Sequence, residues 1–520
     1  MDLKKELSKF KEIEIKPDLK SLNAKEKKLL FKLVDAAKLI HEIFLDQVHP
    51  KNLELKKELE LLRGTDKEDS LKMFEIHCAP FDTVTHSPFI EGQIKLKGAN
   101  FYPADMTIVE FEEFIKKNPK KKDSFTTPYS LIRRKNNVLV AIPYSEAYKD
   151  ELKIIAKLLL EASTFADNSS LKDYLEKISK SLLSNNYFDS DVAWIDLKET
   201  NIEALFGPYE VYLDGLLGLK ATFEAVIGIV DKRASSDLKF LEEKVDELDK
   251  NLPLPPKYKS STKGNSSPIV VIDEVFSAGD NRAGIHFTAF NLPNDEKVKE
   301  LKGSKKVLLK NIAKAKYEHC MTPIIKEIFD EETLKHTDFD SYFTHILLHE
   351  ISHGIGPGII TLNGEKVSVN TALKDLYPTI EEAKADVLGV FNAIYLRNKK
   401  VYTEEFVKKI ITSFVGGIFR SIRFGFHEAH AGANLIVLNY LMEQNCLRYN
   451  NKTRKFFIRY EPIEQCFTSL AEMILLIQAE GDYEKAKDFV DMYRDLTPGI
   501  KEIIARLKDA PTDITPKYTF

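Results

Sequence analysis

The sequence predicts an α+β fold that is predominantly helical, with two lobes around a wide cleft. The chain has 520 residues, more than a single hydrophobic core can organise, so at least two lobes are expected. Apolar residues recur at helical spacing through most of the second half, from Glu296 to Leu507. Short alternating runs such as "NNVLVAIPY" (136–144) lie in the first half. We therefore expect one helical lobe and one mixed lobe with a small β-rich core.

The clearest interruption in the chain is the breaker-rich stretch "NLPLPPKYKSSTKGNSSP" (251–268), which we interpret as a crossing between the lobes. The predicted organisation is a mixed lobe at 1–230, a helical contribution to the other lobe at 231–262, a return to the mixed lobe at 263–300, a helical lobe at 301–500 and a C-terminal tail at 501–520.

Composition excludes several classes of protein. The net charge of -4, with 43% apolar and 30% charged residues, gives no basic surface for nucleic acid. No apolar run approaches the roughly 18 residues that span a bilayer, so we expect no membrane partner. The charged start of the chain lacks a signal peptide's apolar core, which predicts a cytoplasmic protein. No C-x-x-C pair is present, and we expect the cysteines to be reduced, namely Cys78, Cys320, Cys446 and Cys466.

The stretch "THILLHEISHGIGPG" (344–358) contains the pattern H-E-x-x-H. In a helix, His349 and His353 lie one turn apart on the same face and can direct two imidazoles at one metal ion. Glu350 lies beside this axis, where it reaches a water molecule and not the metal, which is the position of a general base. The glycines that follow His353 end the helix.

A third ligand is needed to complete the site. His345 continues the spacing, but three side chains along one helix span about 12 Å, so we expect it to pack or to hydrogen-bond beside the site. In "TIEEAKADVLG" (379–389), Glu382 is the predicted ligand, and Asp386 one turn later can accept the free ring N–H of a ligand histidine. We assign Glu381 a supporting place like that of Asp386. The alternative is that these acids form a solvated helix face.

Two histidines and one glutamate leave a fourth coordination position open for water, which is typical of a catalytic zinc site. The sequence therefore predicts one Zn²⁺ per chain, bound in the helical lobe.

With these motifs the sequence resembles the dipeptidyl peptidase III family of zinc exopeptidases. The resemblance runs from Gly207 to Tyr440, and its blocks follow the family's order: "GPYEVYLDGLLGLKATFEAVIG", "AGDNRAGIHFTAFNLPND", "LLHEISHGIGPG", "TIEEAKAD" and "FHEAHAGAN". Most members carry a six-residue H-E-x-x-x-H motif, whereas this chain has the pentapeptide HEISH, which a regular helix satisfies. Many members also have an arginine that helps to hold the far end of the peptide, where this chain has Asn434.

The resemblance implies a role for each matching residue. His349, His353 and Glu382 would hold zinc, and Glu350 would activate water. The hydrogen-bond donors to the oxyanion would be Tyr212 and His430. The free amino terminus of the peptide would be bound by Glu210, Asn291 and Asn294.

Plain alternatives accompany these roles. Without the family, an aromatic core residue is the favoured interpretation of Tyr212, and a simple turn is the alternative for residues 291–294. His427 and His430 flank Glu428 at a spacing that raises the possibility of a second metal, but no further ligand spacing accompanies them, so we do not predict one.

The predicted function is a zinc-dependent peptidase that releases dipeptides from the amino terminus of peptide substrates, as a monomer or a homodimer. One alternative is a zinc endopeptidase with an open cleft, which Asn434 favours. The other is a catalytically idle binding protein that contains zinc.

Overall fold

The structure is a computed structural model that describes residues 2–61, 64–136, 138–259, 268–362, 364–426 and 428–519, with only the backbone described at 65–67. Residues 260–267 of the predicted crossing and His427 lie outside these residues. The chain divides into two compact units. The first comprises Met1–Lys232, Ser267–Ile312 and Pro511–Phe520, and the second comprises Arg233–Ser266 and Ala313–Ala510.

The described residues form helices and strands along the whole chain. The helices are α1 (Leu3–Leu7), α2 (Ala24–Val48), α3 (Asn52–Leu61), α4 (Thr65–His77), α5 (Ile108–Lys117), α6 (Lys122–Thr126), α7 (Tyr144–Ala147), α8 (Lys149–Ser163), α9 (Ser169–Ser184), α10 (Phe188–Ile195), α11 (Lys232–Glu242), α12 (Val245–Asn251), α13 (Glu296–Lys302), α14 (Lys310–Lys316), α15 (Thr322–Ile328), α16 (Glu331–Leu334), α17 (Phe339–Ser352), α18 (Val369–Leu373), α19 (Tyr377–Asn398), α20 (Glu404–Ile422), α21 (Ala429–Glu443), α22 (Tyr460–Glu480), α23 (Tyr483–Tyr493) and α24 (Pro498–Arg506). The strands are β1 (Phe10–Ile15), β2 (Ser130–Lys135), β3 (Val138–Pro143), β4 (Ile202–Pro208), β5 (Phe223–Val230), β6 (Ile269–Gly279), β7 (Ala289–Leu292), β8 (Lys305–Leu309), β9 (Ile359–Leu362), β10 (Glu365–Ser368), β11 (Leu447–Asn450), β12 (Lys455–Ile458) and β13 (Asp513–Tyr518).

The first unit is built on a five-stranded sheet in the order β4-β5-β6-β8-β7. β6 and β8 are parallel, and the other neighbours are antiparallel. Helix α2 packs on β5 and β6. It begins with a capping box between Asn23 and Glu26, and its buried face carries leucine, isoleucine, valine and alanine side chains. The mixed lobe with a small β core thus has the composition that the sequence predicts.

Two of the predicted ranges contain strands that lie in a different part of the fold from the one predicted. The range 301–312, predicted in the helical lobe, lies in the first unit because β8 pairs within its sheet. The predicted C-terminal tail instead carries β13, which pairs in parallel with β1 at the other end of the chain. Asp513 and Ile514 of β13 are buried, so this strand is part of the first unit's core.

The second unit is helical and surrounds α19. This helix packs against α17, α21 and α22, while α20 packs against α17 and α21. The short hairpins β9–β10 and β11–β12 belong to the same unit.

The expectation of reduced cysteines is wrong for one pair. Cys446 and Cys466 form a disulfide, with Cα atoms 7.0 Å apart. The pairing could not be predicted, because the spacing of the two cysteines matches no known motif. The disulfide joins the segment that follows α21 to α22. Cys78 and Cys320 are buried and lie outside this disulfide.

Among the described residues, no helix combines the length and the apolar character needed to cross a lipid bilayer.

Candidate metal centre

Two helices of the second unit bring the predicted ligands together. Asp338 is the N-cap of helix α17, and its side chain accepts a hydrogen bond of 2.8 Å from the Ser341 amide. Helix α19 begins with Pro378 in its first turn. A Cβ atom on Gly389 of α19 would lie 3.0 Å from His345 Nε2 and 3.4 Å from the His349 amide nitrogen, so glycine allows the two backbones to approach closely.

His349, His353 and Glu382 each direct one ligand atom towards the same point. These three atoms all lie within 4.8 Å of one another. The two Nε2 atoms of the histidines are 3.2 Å apart, and Glu382 Oε2 is 3.4 Å from His349 Nε2. Helix α17 ends at Ser352, but the His353 amide still donates to the His349 carbonyl, so the histidines are held one helical turn apart.

The other ring nitrogen of each histidine contacts a carboxylate of α19. Asp386 Oδ1 lies 2.7 Å from His349 Nδ1, and Glu381 Oε1 lies 3.0 Å from His353 Nδ1. An ionised carboxylate only accepts hydrogen bonds, so each Nδ1 is the donor, and in a neutral ring the Nε2 then keeps its lone pair. Two neutral rings would direct both lone pairs at the space between the Nε2 atoms, which are 3.2 Å apart, where a cation can accept them.

The arrangement therefore fits a divalent cation. Glu382 Oε2 is buried and has no hydrogen-bond partner among the described residues, which is consistent with a metal-ligand atom. Burial acts to lower the pKa of His349, but the neighbouring carboxylates, Asp386 foremost, raise this pKa well above its ordinary value. Two histidines and one carboxylate are ligands that zinc prefers.

The acidic residues of α19 do not form a solvated face. Burial acts to raise the pKa of Glu381, but Lys384 and His353 lower it to about 2. Lys384 Nζ lies 2.8 Å from Glu381 Oε1, and Gln478 Nε2 donates to Glu381 Oε2 at 2.8 Å. The Glu381 carboxylate is thus held by two partners besides His353.

Glu350 and His345 occupy different positions around the ligands. Glu350 follows His349 on α17, is half-buried and lies close enough to raise the pKa of His349. His345 is buried, and its Nε2 lies 3.1 Å from the Asp386 carbonyl oxygen, which makes it the donor. Burial lowers the pKa of His345 to about 4, so this ring is neutral and is not part of the ligand cluster.

His430 lies at the start of α21, beside the ligand cluster. Its Nε2 is 3.3 Å from Glu382 Oε2, and its Nδ1 is 2.7 Å from Glu428 Oε1. Glu428 also caps α21 by accepting from the His430 and Ala431 amides. The hydrogen bond to Glu428 raises the pKa of His430 to about 8. A protonated His430 is a hydrogen-bond donor that faces the site.

The remaining predicted residues lie in the first unit, after β4 and around β7. Asn294 Nδ2 donates to Glu210 Oε2 at 3.3 Å and to the Tyr209 carbonyl at 3.2 Å. Asn291 is exposed on β7. Tyr212 is 74% exposed, so it is not the core aromatic that the alternative interpretation requires.

Two further carboxylates surround Glu210, and the sequence did not indicate them. Glu224 at the start of β5 is buried, and its Oε1 has no hydrogen-bond partner among the described residues. Burial and the neighbouring Glu210 and Asp280 raise the pKa of Glu224 well above its ordinary value. Burial, together with Glu210, raises the pKa of Asp280 to about 7. This acidic cluster (Glu210, Glu224 and Asp280) favours a positively charged ligand.

Residues 110–408, more than half of the chain, match the family model described as Peptidase family M49. The chain belongs to peptidase family M49. It is therefore a peptidase of a metallopeptidase family. The matched segment includes the residues of the ligand cluster and ends before His430.

Solved structures agree with this assignment. The structure of DPP III from Caldithrix abyssi is 45% identical, covers 99% of both chains and superposes with a TM-score of 0.97. The structure of dipeptidyl-peptidase III from Corallococcus sp. strain EGB is 35% identical, covers 99% of this chain and 96% of that chain, and has a TM-score of 0.83. The predicted family and the predominantly helical α+β fold are confirmed.

A plant protein is similar to the whole chain. Nudix hydrolase 3 of Arabidopsis thaliana is 33% identical over 574 residues, which cover 100% of this chain and 74% of the plant protein. Its name describes another class of hydrolase, whereas the family model and both solved structures describe peptidases.

Proposed function

We propose that this M49 peptidase is a zinc-dependent enzyme that releases dipeptides from the amino terminus of peptides. The observation that carries the proposal is the convergence of His349, His353 and Glu382, whose ligand atoms lie within 4.8 Å of one another. A zinc ion bound by these residues would supply Lewis acidity at the scissile carbonyl and would lower the pKa of water towards neutrality.

The chain's own residues would move the protons. Glu350, one residue after His349, would take a proton from the attacking water and pass it to the leaving amine. His430, protonated through its contact with Glu428, and Tyr212 would donate hydrogen bonds to the developing oxyanion.

The acidic cluster supports action at a free amino terminus. An α-ammonium group needs carboxylate acceptors, and the cluster offers Glu210, which already accepts from Asn294, with Glu224 and Asp280 near it. Binding of the ammonium group by Glu210, Asn291 and Asn294 would set which peptide bond is cut. The location in the cytoplasm and the oligomeric state, monomer or homodimer, stay predictions from the sequence.

A panel of dipeptidyl arylamides, assayed with and without a chelator, tests the proposal. We expect hydrolysis that the chelator abolishes and zinc restores, with one zinc per chain by elemental analysis. Acetylation of the substrate's amino group should remove activity, because the neutral amide cannot form an ion pair with the acidic cluster. Equal rates on acetylated peptides would instead support an endopeptidase.

The variant Glu350→Gln tests the proton-transfer role. The amide has nearly the same shape but cannot accept a proton, so we expect kcat to fall about 10²–10⁴-fold. Zinc content should stay at one per chain, since Glu350 is not a ligand. His349→Ala is the contrasting variant and should lose the metal. An unchanged kcat in Glu350→Gln, or full zinc in His349→Ala, would contradict these assignments. Retained zinc without hydrolysis in the wild-type chain would support the idle binding protein.

A further inference from the structure

Asn434 is a buried side chain of α21. Its Nδ2 donates to Asp386 Oδ2 at 2.8 Å. Asn434 and Asp386 are 9% and 6% exposed, so water does not readily replace this hydrogen bond. Many family members have an arginine here that helps to hold the far end of the peptide, whereas this chain has Asn434, whose amide is directed at the carboxylate that contacts His349.

The two oxygens of Asp386 have separate partners. Oδ1 lies 2.7 Å from His349 Nδ1, and Oδ2 accepts from Asn434. A carboxylate held at both oxygens cannot rotate about its Cβ–Cγ bond without losing one of the two contacts. Its orientation fixes the plane of the His349 ring and therefore the direction of the Nε2 lone pair.

We propose that Asn434 is a positioning residue for metal binding, which holds Asp386 so that His349 directs its Nε2 at the cation. This inference rests on the proposed metal site, but it assigns a function to a residue on a third helix, α21. That helix also carries His430, so a single helix positions two groups around the centre.

The carboxylate that contacts the other histidine is also held by additional partners, but these include a cation. Glu381, behind His353, is held by the cation of Lys384 and by the Gln478 amide. Asp386 has the neutral Asn434 amide in the corresponding place. Removal of the Asn434 amide leaves Asp386 Oδ2 buried without this donor, and the carboxylate is then free to turn away from His349.

Metal affinity of the purified full chain is the direct test. The variants Asn434→Leu, which is close to isosteric, and Asn434→Ala, in case leucine prevents folding, should each bind zinc about 10–100-fold more weakly in competition with a chromophoric chelator. Asn439→Leu is the matched control. It lies on the same helix and donates to the Tyr493 and Asp495 carbonyls, so it should lower stability and leave zinc affinity unchanged.

A double-mutant cycle separates positioning from a general structural effect. If Asn434 acts through Asp386, the loss from Asn434→Ala should shrink when Asp386 is already replaced, as in Asp386→Asn. Additive losses would overturn the proposal, as would wild-type affinity in both Asn434 variants. A wild-type chain that binds no zinc would instead reject the proposed metal site itself.

Discussion

His349 and His353 are each held in one tautomer by a carboxylate of the neighbouring helix. The spacing of the two histidines could be predicted from the sequence, because residues four apart share a helical face. The place of Glu382 and Asp386 followed from their own one-turn spacing. The amides that hold the α19 carboxylates could not be predicted. Gln478 donates to Glu381 and Asn434 donates to Asp386, and both come from separate helices, so no local sequence pattern indicates these contacts.

Glu428, the partner of His430, lies close to it in the sequence. Glu428 lies two residues before His430 and is the N-cap of α21, which brings its carboxylate within reach of the ring. Glu224 and Asp280 carry no such signal, since strand pairing alone brings their segments together, with Glu224 opposite Gly279.

The acidic cluster predicts a dependence of KM on pH. Burial raises the pKa of Glu210, and the pKa of Asp280 is raised to about 7. These carboxyls are ionised above their raised pKa values and protonated below them, whereas the substrate's amino group stays charged up to about pH 8. Lowering the pH from 7.5 to 5.5 should therefore raise KM for a dipeptidyl arylamide, by roughly tenfold. Initial rates at saturating zinc measure this change.

The matched variant is Glu210→Gln, which keeps the shape and removes the charge. Its KM should be high at every pH and should change less between pH 7.5 and 5.5. A wild-type KM that stays flat or falls as the pH is lowered would contradict an ionised cluster as the ammonium site.

Helix α19 shows how a buried element can carry acidic residues. Most of its side chains are buried in the second unit. Its three acidic side chains face α17, where each of them contacts a histidine. From the sequence alone, a solvated acidic face and a metal-binding face look the same. The apolar residues at the intervening positions are what place α19 inside the unit and so decide between the two.

The approach of α17 and α19 at Gly389 can be tested with Gly389→Ala. The added methyl group would crowd the His345 ring and the His349 amide, which overpacks the contact at a cost of about 1–3 kcal/mol. Alanine gains back up to about 1 kcal/mol in helix propensity. We therefore expect a net destabilisation of about 1 kcal/mol in urea unfolding and weaker zinc binding, because the helices separate.

Gly499→Ala is the control for Gly389→Ala. Gly499 lies in the first turn of α24, and no atom lies within 4 Å of the position of its Cβ. Its substitution should leave stability unchanged or slightly higher and should not alter zinc binding. Higher stability with unchanged zinc affinity in Gly389→Ala would show that the close approach is not needed.

At the scale of the whole molecule, the breaker-rich stretch contains one of the four points at which the chain passes from one unit to the other. The last strand could not be predicted in this way. "DITPKY" (513–518) is short and contains a proline, and its partner β1 lies at the opposite end of the chain. Pairing across such a separation leaves no local signature, so a tail was the natural expectation.

The C-terminal strand closes a buried polar cluster in the first unit. Tyr518 Oη donates to Glu274 Oε1 at 2.6 Å, and His286 Nε2 lies 3.0 Å from Glu274 Oε2. Burial acts to raise the pKa of Glu274, but His286, Ser277 and Tyr518 together lower it, so this buried carboxylate is ionised. One of the three groups that favour this charge, Tyr518, belongs to the last strand.

Tyr518→Phe should therefore destabilise the first unit while leaving the metal centre of the second unit intact. Loss of a hydrogen bond to a buried charged group costs about 1.5–3 kcal/mol, which urea unfolding would show as a lower transition midpoint. Zinc affinity should not change. Tyr483→Phe is the control, because Tyr483 Oη donates to Asp375 at the surface and its loss should cost under about 1 kcal/mol. Equal midpoints for the two variants would mean that β13 lies on the first unit without stabilising its core.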